Sequence, residues 1–154
     1  MKRSALLFAL LLAGLLAQPA SAQLGIAPHI AWGSDTELGV GGRVIAGLAD
    51  TPVARVEALV AFDWFLDCDA CSYFEVTPAL ALGISLLGLG AYGGAGLNIA
   101  RFTPDSGSPL ADDTDFGFAL LLGVRTPFGI FGEIRNAAGG GDQRVISIGF
   151  RLGG

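Results

Sequence analysis

The chain has 154 residues, 52% of them hydrophobic and only 15% charged, with 24 glycines and a formal net charge of −5. That length is one domain's worth, and the acidic balance argues against a nucleic-acid partner, which is held through its phosphates by basic groups.

The N-terminus has the layout of a secretory signal. Lys2 and Arg3 supply the positive start, residues 5–16 are apolar, and residues 18–22 close on Ala20-Ser21-Ala22. The apolar run of about 12 residues is short of the ~20 that span a bilayer as a helix. Cleavage is therefore expected after Ala22, making residues 1–22 a signal peptide for Sec-type secretion and residues 23–154 the folded domain. No Cys follows the leader, which argues against a lipoprotein anchor. Without Lys2 and Arg3 the only cations left are arginines, and the domain is more acidic still.

From Gln23 onward the side chains alternate with period two, the signature of strands. Eight segments are expected. In 24–32, Leu24, Ile26, Ile30 and Trp32 share one face and His29 takes the other. In 37–48, Leu38, Val40, Val44 and Leu48 oppose Arg43. Segment 55–65 sets Val56, Ala58, Val60, Phe62 and Trp64 against Arg55, Glu57, Leu59, Ala61 and Asp63. Segment 73–84 sets Phe74, Val76, Leu80, Leu82 and Ile84 against Tyr73, Glu75, Thr77, Ala79, Ala81 and Gly83. In 88–100, Leu89, Leu97 and Ile99 oppose Asn98; in 116–125, Phe116, Phe118, Leu120, Leu122 and Val124 share a face. In 129–136, Ile130 and Ile134 oppose Glu133 and Arg135. In 145–152, Ile146, Ile148, Phe150 and Leu152 oppose Ser147 and Arg151.

Large apolar residues lie on one face throughout, and glycines and charges on the other. A soluble barrel fills its inside with bulky apolar groups. The inverse arrangement, apolar outward and polar inward, is what lipid around the strands requires. The connections agree. With the first strand starting in the periplasm, the odd connections (33–36, 66–72, 102–115, 137–143) are outside and hold eight aspartates. The even ones (49–54, 85–87, 126–128) are mostly shorter and hold only Asp50. Short periplasmic turns and longer outer loops are usual in membrane barrels.

An eight-stranded barrel is just wide enough inside for side chains. Glycines 39, 41, 83, 90, 94, 96, 117, 123 and 149 fall inward in this register and leave room for charge. Arg43, Arg55, Arg125, Arg135 and Arg151 are expected to pair there with Glu57, Asp63, Glu75 and Glu133, since buried charge is costly unless paired and the Arg fork suits carboxylates. Such a lumen is a plug; a narrow channel is the alternative. Residues 78–100 carry no charge and by hydropathy alone are a candidate membrane helix, but six glycines between Gly83 and Gly96 oppose a helix.

Chemistry-bearing motifs are few. Cys68-Asp69-Ala70-Cys71 reads as a disulfide tightening an outer loop in an oxidising compartment. Zinc there would need two further ligands, and His29 is the one histidine of the chain. His29 is expected to be a satisfied interior group. No His-x-Ser follows it, and Ser34 lies five residues on, so no nucleophile and base can be assembled. Asp112, Asp113 and Asp115, with Asp105, lack the spacing of a calcium loop and read as a solvated acidic loop. Trp32, Trp64, Phe65, Phe74, Phe102 and Phe116 are expected in an aromatic girdle at the outer rim, with Phe128 and Phe131 in the opposite ring.

Three segments carry a resemblance: Gly90-Ala91-Tyr92-Gly93-Gly94-Ala95-Gly96-Leu97, Phe131-Gly132-Glu133-Ile134-Arg135 and Ser147-Ile148-Gly149-Phe150-Arg151-Leu152. With them the chain from Gln23 onward resembles the small outer-membrane β-barrel proteins of the OmpA/OmpX-like type. The resemblance implies insertion into the bacterial outer membrane by the barrel assembly machinery. Members usually end on an aromatic residue, whereas here Phe150 is followed by Arg151, Leu152, Gly153 and Gly154. The expectation is an all-β, eight-stranded antiparallel up-and-down transmembrane barrel. It is expected to be non-enzymatic and monomeric, without cofactor or metal, surrounded by outer-membrane lipid, with a structural or surface-interaction role toward an unspecified ligand. An enzyme acting on outer-membrane lipid is the competing class.

Overall fold

The computed structural model describes residues 24–51, 53–66, 71–86, 88–104, 112–139 and 141–153. The leader, Cys68 and Asp105 lie outside the described residues. Eight strands follow one another: β1 (Leu24–Gly33), β2 (Glu37–Asp50), β3 (Ala54–Phe65), β4 (Cys71–Leu86), β5 (Leu89–Pro104), β6 (Asp113–Arg125), β7 (Ile130–Ala138) and β8 (Arg144–Phe150). Each pairs antiparallel with the next, and β8 closes on β1 through pairs such as Ile30↔Ile148 and Trp32↔Ile146. Closure leaves no open edge, the condition for a sheet to cross a bilayer.

Residues 78–100 are not a helix but belong to β4 and β5, which span 16 residues each. Both run further at the end away from the chain termini than the alternation indicates: Cys71 pairs with Pro104 and Tyr73 with Phe102. At the opposite end the same hairpin turns in two residues, with Leu86 paired to Leu89 and Gly88 at φ +84°. A side chain disfavours that left-handed conformation and glycine does not.

The faces divide by parity. On β6, Phe116, Phe118, Leu120, Leu122 and Val124 are 61–72% exposed, while Ala119 and Leu121 between them are buried. Across the barrel Asp63, Glu75, Thr77, Asn98 and Ser147 are fully buried. The molecule is thus inverted relative to a water-soluble one.

The glycines make the hollows. A Cβ on Gly123 would strike the Tyr92 ring, and one on Gly90 would lie 2.8 Å from Arg125 Cγ. Apolar side chains also enter the lumen, in two clusters. Ala31, Phe65 and Val145 pack with Tyr73 near the end away from the chain termini; Ile45, Leu59, Leu121, Tyr92 and Phe131 pack with alanines nearer the termini. Two aromatic assignments are therefore corrected. Phe65 and Phe131 are 1% and 5% exposed and belong to the lumen, not to a rim. Phe65 shares parity with Asp63 and Phe131 with Glu133, and a pleated strand sends alternate residues to one face wherever they fall along it.

Candidate functional site

The lumen brings together the charged residues of seven segments in three tiers. At the end away from the chain termini, Arg135 on β7 reaches two carboxylates of neighbouring strands: Nη1 lies 2.8 Å from Asp63 Oδ2, and Nη2 donates to Glu75 Oε2 at 2.8 Å. Asp63 also meets His29 Nε2 at 2.6 Å. The register explains this contact: His29 on β1 and Asp63 on β3 both pair with Gly41, and a glycine between them lets the two side chains touch. Tyr73 Oη donates to Glu75 Oε1 at 2.9 Å, Gln143 Nε2 donates to the same oxygen, and Thr36 Oγ1 donates to Gln143 at 2.9 Å.

In the middle tier Arg43 on β2 and Glu133 on β7 pair through both guanidinium nitrogens, and Tyr92 Oη adds a bond of 2.9 Å to Glu133. The Arg43 guanidinium lies 4.3 Å over the Phe131 ring. Phe131 thereby covers the pair with a face that attracts cations. This tier holds one Arg and one carboxylate, and its side chains are 2% exposed.

The third tier lies at the end where β1 begins, β8 finishes and the short turns sit. Here Glu57 accepts from Arg125 Nη1 at 3.2 Å and from Arg151 Nη1 at 2.7 Å, with Arg55 Nη1 at 3.6 Å. Arg55 turns mainly to Asp50 at the rim, donating from Nε at 3.0 Å and from Nη2. A cavity of about 500 Å³ opens beside these groups, with Ile45, Leu59, Tyr92 and Phe131 at its apolar inner end.

All nine charged residues expected in the lumen meet partners there, Arg55 at its margin. Tyr73, Tyr92, Gln143 and Asp50 extend the network beyond them. Tyr92 sits within the glycine-rich stretch of β5, where its size among small neighbours was the available signal. His29 is engaged with Asp63, while Ser34 Oγ donates to Asp35 and accepts from the Arg144 amide, so the two are not paired with each other. Asp112 lies 3.6 Å from Arg101, and among the described residues no cluster of three metal-ligating side chains occurs. Cys71 opens β4, and its expected partner Cys68 lies outside the described residues.

No family model matches the sequence, and no curated protein does. Solved structures match the fold. The N-terminal β-barrel domain of Pseudomonas aeruginosa OprF superposes with a TM-score of 0.62 at 16% identity, covering 84% of this chain and 97% of that one. Ail, the attachment invasion locus protein of Yersinia pestis, gives 0.54 at 14% identity, with 85% and 96% covered. The outer membrane enzyme PagL gives 0.51 at 11% identity, with 83% and 98% covered. At these identities the likeness speaks for fold, and the three neighbours differ in what they do. The chain is a closed eight-stranded antiparallel barrel with the fold of the small outer-membrane barrel proteins.

Proposed function

We propose that the protein is a non-enzymatic barrel of the bacterial outer membrane with a structural or surface-interaction role. The observation that carries this reading is the inversion: a belt of exposed Leu, Ile, Val and Phe around a lumen filled by ion pairs and aromatic rings. An exposed apolar surface of that extent has no stable place in water. The middle tier supports a plug over a channel, because Arg43, Glu133, Tyr92 and Phe131 fill the cross-section with paired groups.

In this reading the chain is secreted by a Sec-type route with cleavage after Ala22, inserted by the barrel assembly machinery, and monomeric in lipid. The even turns face the periplasm. The outer connections carry the contacts of a surface role, and a Cys68–Cys71 disulfide tightens one of them. Fractionation of expressing cells, with gel mobility before and after boiling, tests the proposal. An outer-membrane protein whose mobility shifts on heating supports it. A soluble protein without a shift overturns it. Planar-bilayer conductance of the folded protein tests the plug, with steady ion flow counting against it.

A further inference from the structure

We infer that the cavity at the turn-and-termini end of the barrel is a binding site for a small soluble phosphate-type oxyanion, held by Arg125 and Arg151 with Arg55 at the rim. The name of the side on which it opens, and the lipid around the wall, rest on the proposed membrane placement.

The lumen's nearly balanced charge is unequally divided along the axis. The first tier sets Asp63 and Glu75 against Arg135, and the middle tier is one to one. The cavity tier sets Arg55, Arg125 and Arg151 against Glu57 and Asp50, and Asp50 is 55% exposed and occupied by Arg55. Arg125 and Arg151 therefore share one carboxylate while 17% and 11% exposed. Two guanidinium groups this far from water call for more negative charge than Glu57 supplies.

The donors point the same way. Arg151 Nη2 is buried without a hydrogen-bond partner among the protein groups. Arg125 and Arg151 converge on the same oxygen, Glu57 Oε1, so both line one face of the cavity. Ser85 adds a hydroxyl to the same space, while Thr51 and Thr126, which also line it, donate theirs to the Ala54 and Ile130 carbonyls. Planar forks with a neutral hydroxyl beside them match the oxygens of a phosphate group. The cavity opens at the turns and not through the lipid-facing wall, so the ligand arrives from solution. Its volume admits something larger than a lone phosphate. Gly83 and Gly90, where a Cβ would meet Arg125 at 3.4 Å and 2.8 Å, keep that side chain folded against the wall.

The test is calorimetric titration of inorganic pyrophosphate into the full chain folded in detergent micelles, at low ionic strength. Folding is checked first by the heat-dependent gel shift. A saturable single site is expected, weakening as NaCl is raised. Arg151→Gln and Arg125→Gln should each weaken binding at least tenfold. Glu57→Gln removes the competing carboxylate and should tighten it several-fold. A merely structural Glu57 would give no tightening. Should either cavity variant fail to fold, Arg55→Gln at the rim still should weaken binding about threefold. Absence of saturable binding by the folded wild type overturns the inference, as does binding unchanged in every folded variant. Failure of the wild type to show the gel shift instead strikes the proposed function, so the two failures are distinct.

Discussion

Arg43 and Glu133 stand 90 residues apart in sequence and meet inside the barrel through two parallel bonds, Nη1 to Oε2 at 2.7 Å and Nη2 to Oε1 at 3.1 Å. Arg43→Met leaves Glu133 charged in a space where only Tyr92 Oη remains to satisfy it, a loss of about 3–5 kcal/mol for breaking one side of a buried pair. The double variant Arg43→Met with Glu133→Leu removes both charges and should recover most of that loss. Urea unfolding of the barrel in lipid vesicles measures both, and equal losses in single and double variants would count against the pair's role.

The lipid face is tested at Leu120, 64% exposed in the middle of β6. Leu120→Arg should cost about 2–4 kcal/mol of folding free energy in a bilayer, the range for a cation near the midplane of a membrane barrel. An exposed position in water tolerates such a change within about 0.5 kcal/mol. A small effect in vesicles would remove this face from the hydrocarbon.

Gly123 and Tyr92 are paired neighbours on β6 and β5, and the ring occupies the space above the glycine. Gly123→Val should destabilise by about 1–3 kcal/mol through overpacking. In a Tyr92→Ala background the same substitution should cost much less, because the ring is gone. The coupling is read from a double-mutant cycle on unfolding midpoints, and strict additivity would mean the ring and the glycine do not constrain one another.

The Cys68–Cys71 bond is tested by alkylating the unfolded protein before and after reduction. Label should enter only after reduction. The loop it would close is short, so Cys71→Ser should cost about 2 kcal/mol or less, with the gel shift retained. Alkylation without reductant would identify free thiols.

Much of the architecture is legible in the alternation, because a closed barrel of this size admits only two environments and each strand must sort its side chains between them. His29, Glu57, Asp63 and Arg135 all lie on the face that parity gives them. For Phe65 and Phe131 nearness to a strand end points to a rim and parity points to the lumen; on a pleated strand the parity rule holds to the last residue. The partners were not legible. Arg43 finds Glu133 and Arg135 finds Asp63 because strand stagger sets which residues share a level around the barrel, and stagger is a property of closure. The place of Tyr92 in the network is not legible for a related reason: its slot is made by Gly123 on the next strand. The longer reach of β4 and β5 was hidden by Ser72, Thr103 and Pro104, a polar stretch that resembles a loop yet remains paired.

The ion pairs of the lumen join strands that are not neighbours in sequence: β1 to β3, β2 to β7, β3 to β7, and β3 to the segment after β8. Of these links only His29–Asp63 can form before β7 and the segment after β8 are in place. Until β7 arrives, Arg43 lacks Glu133, and Asp63 and Glu75 lack Arg135. A half-built barrel leaves several buried charges without their partners. Closing the ring and pairing most of the lumen charges are therefore one event.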